Sequence, residues 1–302
     1  MTRQPQVGWL IDGKRLHLQD GPIDLIVEAQ GHRDQLHAAY HAAIGRFTGL
    51  LDELCDELPS LRSAADPERC DLEGVVARRM HAAAAPFAHD HFITPMAAVA
   101  GSVAEEILRV MVQAAPLGRA YVNNGGDIAL HLTDGEQFTV GLIDRPDALG
   151  LMRTTVIRAD DPTRGIATSG WRGRSFSLGI ADAVTVLART AAQADAAATI
   201  IANAVDLPDH PAILRCPANE LQPDSDLGSL LVTRDVGRLT YQAIGTALDG
   251  GEAKALQLIG RGLIEGAALT LKGEVRVIGL PRRQANVLHR PAVPLNQSMI
   301  HV

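Results

Sequence analysis

Short apolar segments joined by glycine-bearing tight turns are the feature that most constrains this chain. Asp12-Gly13, Asp20-Gly21-Pro22, Gly125-Gly126, Asp134-Gly135 and Lys272-Gly273 each stand between two runs of strand-forming residues. Connections this short need backbone conformations that glycine adopts without strain, and they join neighbouring strands antiparallel. Residues 8–30 therefore read as a hairpin followed by the strand Ile23–Val27. Ala120–Val122 and Ile128–Leu132 flank the paired glycines, and Asp134-Gly135 is expected to turn the chain back into a hairpin with Phe138–Ile143. Thr154–Arg158 is a further strand, and Ala267–Leu271 with Val275–Leu280 forms the last pair. Ala183–Ala188 is apolar at nearly every position, which suits a strand buried on both faces.

Helical periodicity interrupts this pattern. Leu36, Tyr40, Ile44, Phe47, Leu51, Leu54 and Leu58 recur at three- and four-residue steps, predicting one helix over 33–58 that Pro59 ends. Cys55 falls on its expected buried face, which argues against a nucleophilic role. Asp71–Pro86, 94–114, Ala191–Val205 and 253–264 are further helices. Thr94-Pro95 supplies an N-cap and a first-turn proline for the third, whose expected buried face is Val99, Val103, Ile107 and Val110. The segment 208–226 reads as an irregular connection, and 281–302 as a surface tail. The sum is an α+β fold with mainly antiparallel sheet and packed helices. With no Gly/Ser-rich linker, 1–302 reads as a single domain.

Charge and composition remove whole classes of function. The chain carries 28 Lys and Arg against 35 Asp and Glu, a formal charge of −7, which disfavours a phosphate-backbone partner and so any nucleic acid. Its apolar runs fall far short of the ~20 residues a bilayer span requires. The N-terminus lacks the apolar core of a secretory signal. Three scattered cysteines, Cys55, Cys70 and Cys216, point to a reducing compartment. No membrane association and a cytoplasmic location are the expectations.

Three segments could carry chemistry. Asn124-Gly125-Gly126-Asp127 lets backbone approach a ligand closely, or is simply a turn. Thr168-Ser169-Gly170-Trp171-Arg172-Gly173-Arg174 gathers hydroxyls, glycines and guanidinium groups suited to an anion such as phosphate, or is a solvated loop. Asp195 and Thr199 stand one helical turn apart among alanines. They suit a hard cation such as Mg²⁺, or are an acid favourable to the helix dipole and a back-bonded threonine. The histidines His81, His89 and His91 fit no standard zinc spacing.

Together the order of these pieces resembles the ApbE-like superfamily, the FAD:protein FMN transferases and their relatives, over roughly residues 94–205. Ala100-Gly101-Ser102 sits where that family opens a helix with Ala-Lys-Gly. Asn124-Gly125-Gly126-Asp127 matches its Gly-Gly-Asp turn, Thr168-Ser169-Gly170 its Thr-Ser-Gly loop, and Ala194-Asp195 with Thr199 its Ala-Asp-x-x-x-Thr helix. The wording of Phe92–Gly101 and Thr168–Ser175 looks like an uncharacterised prokaryotic side branch. The resemblance implies Asp195 and Thr199 as Mg²⁺ ligands, with a backbone carbonyl near Val99 or Ala100. It implies Asn124, Gly125, Gly126, Asp127, Thr168, Ser169, Gly170, Arg172 and Arg174 as cofactor-binding residues for FAD or FMN, and Asp182 as the position of a family aspartate, a catalytic candidate. Two features depart from the pattern: Ala100 replaces the family's lysine, and Ser175–Asp182 lacks its histidine and proline. Two readings stay open, an Mg²⁺-dependent flavin transferase-like enzyme with a protein acceptor, and a non-catalytic protein that retains the pocket for a flavin or other nucleotide-like ligand. A homo-oligomer is compatible with either.

Overall fold

A computed structural model describes residues 4–143, 151–279 and 299–301. In chain order the elements are strands β1 (Gln6–Trp9), β2 (Leu16–Asp20) and β3 (Ile23–Gln30), then helices α1 (Arg33–Phe47), α2 (Leu50–Asp56), α3 (Leu58–Leu61), α4 (Val75–Ala84) and α5 (Val99–Ala114). Strands β4 (Arg119–Asn124), β5 (Asp127–Leu132), β6 (Gln137–Ile143), β7 (Leu151–Arg158), β8 (Gly165–Ser169) and β9 (Ala183–Ala188) lead to α6 (Ala191–Ala204). The chain continues through β10 (Ile213–Pro217), α7 (Ala218–Leu221), β11 (Leu231–Val236), α8 (Tyr241–Gly260), β12 (Gly266–Leu271), β13 (Glu274–Ile278) and β14 (Met299–His301). The α+β class with mainly antiparallel pairing is what the turn chemistry predicts. Among the described residues no helix is long and apolar enough to cross a membrane.

The chain forms two compact units, the first comprising Met1–Gln137, Ile157–Ile166 and Arg189–Asp195. In it β1 to β5 form an antiparallel meander, and Gly165 and Ile166 of β8 pair with Ala129 and Ile128 of β5. Strict alternation puts Leu16, Leu18, Leu25 and Val27 fully inside. Helix α5 packs against α1, α4, β4 and β5, burying Val103, Ala104, Ile107 and Met111 completely. On its other side Glu106, 1% exposed, is ringed by Arg46 from α1, Arg79 from α4 and Arg109. Burial alone would raise its pKa, but hydrogen bonds from the three guanidinium groups outweigh that and hold it at about 2.

The second unit comprises Phe138–Val156, Ala167–Ala188 and Ala196–Val302. There β9 pairs antiparallel with β12, and β12 with β13. Every residue of β9 and β12 is buried, as the apolar run predicts for β9. Helix α8 packs on β12 and β13. A second sheet joins β10 to β11, and a third joins β6 to β7 and β14.

Several expectations need correction. The helix expected over 33–58 breaks at Gly49, which takes φ +81°, and Pro59 lies inside the following short helix instead of ending the first. Cys55 is exposed, because the break redirects the apolar stripe. Thr94-Pro95 opens a 3₁₀ turn without a side-chain cap, and α5 begins only at Val99. Strand β6 does not pair back with β5; it belongs to the three-stranded sheet. The connection 208–226 contains β10 and α7. Helix α8 starts at Tyr241, not 253: the Thr240 hydroxyl accepts from the Ala243 N–H, and packing carries the helix across Gly250 and Gly251. Of the tail, only 299–301 lie within the described residues, and they pair in parallel with β6.

Candidate functional site

In the first unit the end of the β4–β5 hairpin and Asp195 of α6 meet at the start of α5. Asn124 and Asp127 face each other across the end of the β4–β5 hairpin. The two loop residues, Gly125 at φ +65° and Gly126 at φ +113°, occupy backbone regions that disfavour other residues. The Asn123 side chain accepts from the Gly126 N–H at 2.8 Å. Asn124 is buried, and its Nδ2 donates to the Ala100 carbonyl at 3.1 Å. A Cβ on Gly126 would meet nothing within 4 Å, so open space borders the turn.

Asp195 reaches the same place from α6. Its Oδ2 accepts from the Gly101 N–H at 3.0 Å, satisfying an amide that the first turn of α5 leaves without a helical partner. Asp195 keeps some exposed surface, yet burial of its carboxyl first, and the Asp127 carboxylate second, push its pKa well above the usual range. The N–H groups of Gly101 and Ala100 pull the other way. The approach is enforced by contact: a Cβ on Gly101 would lie 2.3 Å from the Ala191 oxygen, and one on Gly165 would lie 2.1 Å from Thr190. Glu105 adds a second tie, accepting from the Ala192 N–H at 2.8 Å. Thr199 follows Asp195 by one turn of α6 and is half-buried.

The donors gathered here are oxygens: two carboxylates and a backbone carbonyl. Mg²⁺ is commonly held by one or two carboxylates, with water and ligand phosphate completing its shell, so this set fits it. Among the described residues no group of three or more His, Cys, Asp or Glu could hold a metal, which suits neither a structural zinc nor a calcium cage.

In the second unit Thr168 and Thr185 share a hydrogen bond of 2.9 Å between hydroxyls. Ser169 is half-buried beside Thr168. Gly170 fits because a Cβ there would lie 2.6 Å from the Asp182 carbonyl oxygen. Asp182 is buried, and both of its oxygens accept hydrogen bonds. Oδ1 accepts from Trp171 Nε1 at 3.1 Å and from Arg172 Nε at 2.7 Å, while Oδ2 accepts from the Lys272 N–H at 2.5 Å. Lys272 takes φ +50° in the turn between β12 and β13, and its ammonium reaches the Val236 carbonyl. The Arg172 guanidinium lies 4.4 Å from the centre of the Trp171 ring. Arg174 is exposed and lines a cavity of about 540 Å³ with Arg172, Ser175, Thr233 and Arg234. Sequence reasoning missed Lys272, Thr233 and Arg234. Only their strand positions could have drawn attention to them.

Among known proteins, the chain is 37% identical over 147 residues to a UPF0280 protein of Methanothrix thermoacetophila, covering 47% of this chain and 58% of that one. It is 39% identical over 119 residues to a UPF0280 protein of Methanothermobacter thermautotrophicus, covering 39% and 44%. The chain thus spans about half the length of the curated relatives it matches. A crystal structure of the ApbE protein from Thermotoga maritima is similar at 12% identity and TM-score 0.49, over 90% of this chain and 97% of that one. The family model for AbpE bacteria matches residues 7–277, nearly the whole of the described chain, and the protein belongs to that family.

Proposed function

We propose that the protein binds a flavin nucleotide, or a similar phosphate-bearing cofactor, together with Mg²⁺ at the corner built by Asp195, Asp127 and the Ala100 carbonyl. The observation that carries this reading is a carboxylate held against the start of α5 by the Gly101 amide and beside a second carboxylate. A cation relieves the repulsion between two neighbouring acids, and the proposed Mg²⁺ site makes use of that. When bound, Mg²⁺ neutralises phosphate oxygens and polarises a phosphoryl group. The chain's own residues do the rest. Asp195 supplies formal charge. Asn124 steadies the Ala100 carbonyl, and the Gly125-Gly126 turn leaves open space beside Gly126 for a ligand.

Binding is placed ahead of group transfer because Asp182, the residue the resemblance offers for catalysis, has both oxygens occupied by Trp171, Arg172 and Lys272. Such a carboxylate anchors a loop. Titrating FMN and FAD fluorescence with protein in Mg²⁺ and in EDTA tests the reading. Saturable quenching that requires Mg²⁺ supports it, and no quenching in either condition defeats it. AMP released from FAD in the same samples, with a protein acceptor present, would favour the transferase reading instead.

A further inference from the structure

Helices α5 and α6 exchange carboxylates at their starts. Asp195 of α6 accepts from the Gly101 N–H of α5 at 3.0 Å, and Glu105 of α5 accepts from the Ala192 N–H of α6 at 2.8 Å. Gly101 and Glu105 are one turn apart on α5, and Ala192 and Asp195 are nearly one turn apart on α6. The two bonds therefore run in opposite directions between the same two helix faces. Each carboxylate satisfies an amide that a first helical turn leaves without a partner, and each puts negative charge where the helix dipole favours it. Thr190 supplies the next acceptor on α6, taking the Gln193 N–H at 3.2 Å. Glu105 is itself held. Arg79 of α4 places Nε 3.2 Å from Glu105 Oε2, and the same guanidinium donates to the Ser102 carbonyl at 3.0 Å and to Glu106 at 3.1 Å. Three acceptors around one planar group fix its orientation, and through it the direction in which Glu105 reaches.

We infer that Glu105, directed by Arg79, is a positioning residue for Asp195. A metal ligand has to be held to within about 0.5 Å of its productive place. Asp195 alone would have to tether its own helix through Gly101 while also serving a cation. The bond from Ala192 to Glu105 fixes the first turn of α6 independently, so the Asp195 carboxylate keeps its place when a cation competes for its oxygens. The inference rests on the reading that Asp195 helps to hold Mg²⁺; Glu105 acts through the helix and is not itself a ligand.

Two conservative variants separate reach from charge. Glu105→Gln keeps an oxygen at the right length for the Ala192 N–H and gives up the charge; Glu105→Asp keeps the charge and is one methylene too short. Hydrogen exchange in EDTA, followed over 191–195, reads the tether without any metal. Exchange is expected to quicken several-fold in Glu105→Asp and to stay near the wild-type rate in Glu105→Gln. Quenching of FMN fluorescence at rising Mg²⁺ reads the consequence. The half-saturating Mg²⁺ concentration should rise about tenfold in Glu105→Asp, as for loss of a group that orients a metal ligand, and hardly at all in Glu105→Gln. A purely structural role would instead reduce the amplitude, through fewer competent molecules, and leave the half-saturating concentration unmoved. Equal exchange in all three proteins, an unmoved Mg²⁺ midpoint in Glu105→Asp, or impairment of Glu105→Gln but not Glu105→Asp would each overturn the inference while the Mg²⁺ reading stood. Exchange as expected, with wild-type quenching indifferent to Mg²⁺, would overturn the Mg²⁺ reading and the positioning role with it, leaving the tether between the helices as fact.

Discussion

Asp195 and Gly101 stand 94 residues apart in the chain, and the Gly101 N–H donates to Asp195 Oδ2 at 3.0 Å. One side chain of α6 thus completes the first turn of α5. That carboxylate also sits close enough to Asp127 to feel its charge.

The fit at this junction leaves no room for a methyl group. Gly101→Ala would place a Cβ 2.3 Å from the Ala191 oxygen, which is backbone and cannot swing away. A loss of about 3 kcal/mol is expected, at the upper end for overpacking. Denaturant melts check it, and a variant as stable as the parent would show that α6 can shift.

Acid should unfasten the first unit through Glu106. Its pKa is about 2 in the fold, below the ordinary 4.5. A depressed carboxyl contributes stability above its unfolded pKa and loses it as pH falls toward the folded value. The contribution, on the order of 3 kcal/mol, is therefore present at neutral pH and lost between about pH 4.5 and 2. Glu106→Gln should lower stability at pH 7 and flatten the dependence in that window. Parallel curves for the variant and the parent would contradict it.

Asp182→Ala separates an anchor from a catalyst. It strands the Arg172 guanidinium, the Trp171 N–H and the Lys272 amide together. A destabilisation of about 3 kcal/mol is expected, as for breaking a buried ion pair, with a shift in Trp171 emission. A variant with unchanged stability and lost activity would instead make Asp182 a catalytic residue.

Cys55 and Cys70 are exposed and Cys216 is half-buried. Native protein should titrate two thiols rapidly with a thiol reagent and the third slowly. A single fast thiol would restore the buried position that periodicity assigned to Cys55.

Much of this was legible in the sequence. Asp-Gly and Gly-Gly turns determine strand pairing locally, so the meander β1–β3 and the β4–β5 hairpin could be read from dipeptides. Strand β6 could not, because the partner it takes in place of β5 includes residues 299–301, far away in sequence. Helix α8 was missed over its first half because Gly245, Gly250 and Gly251 weaken its propensity. At Gly251, where a Cβ would strike Val205 and Leu269, packing demands the glycine that propensity discourages. The order of motifs singled out Asp195, Asn124 and Asp127, yet not the Gly101 amide or the Ala100 carbonyl that join them, since backbone groups carry no sequence signature. Arg172 was marked as an anion ligand because a sequence does not show that Asp182 already holds it.

The most direct test of the central claim is calorimetric titration of FMN, with and without Mg²⁺, into wild-type protein and Asp195→Asn. The amide retains an oxygen for the Gly101 N–H, so the variant should fold, while the charge for the cation is gone. The expected result is Mg²⁺-dependent binding by wild type and at least a tenfold loss in the variant, comparable to removing a charged hydrogen-bonding group. Equal affinities in all four titrations would contradict it.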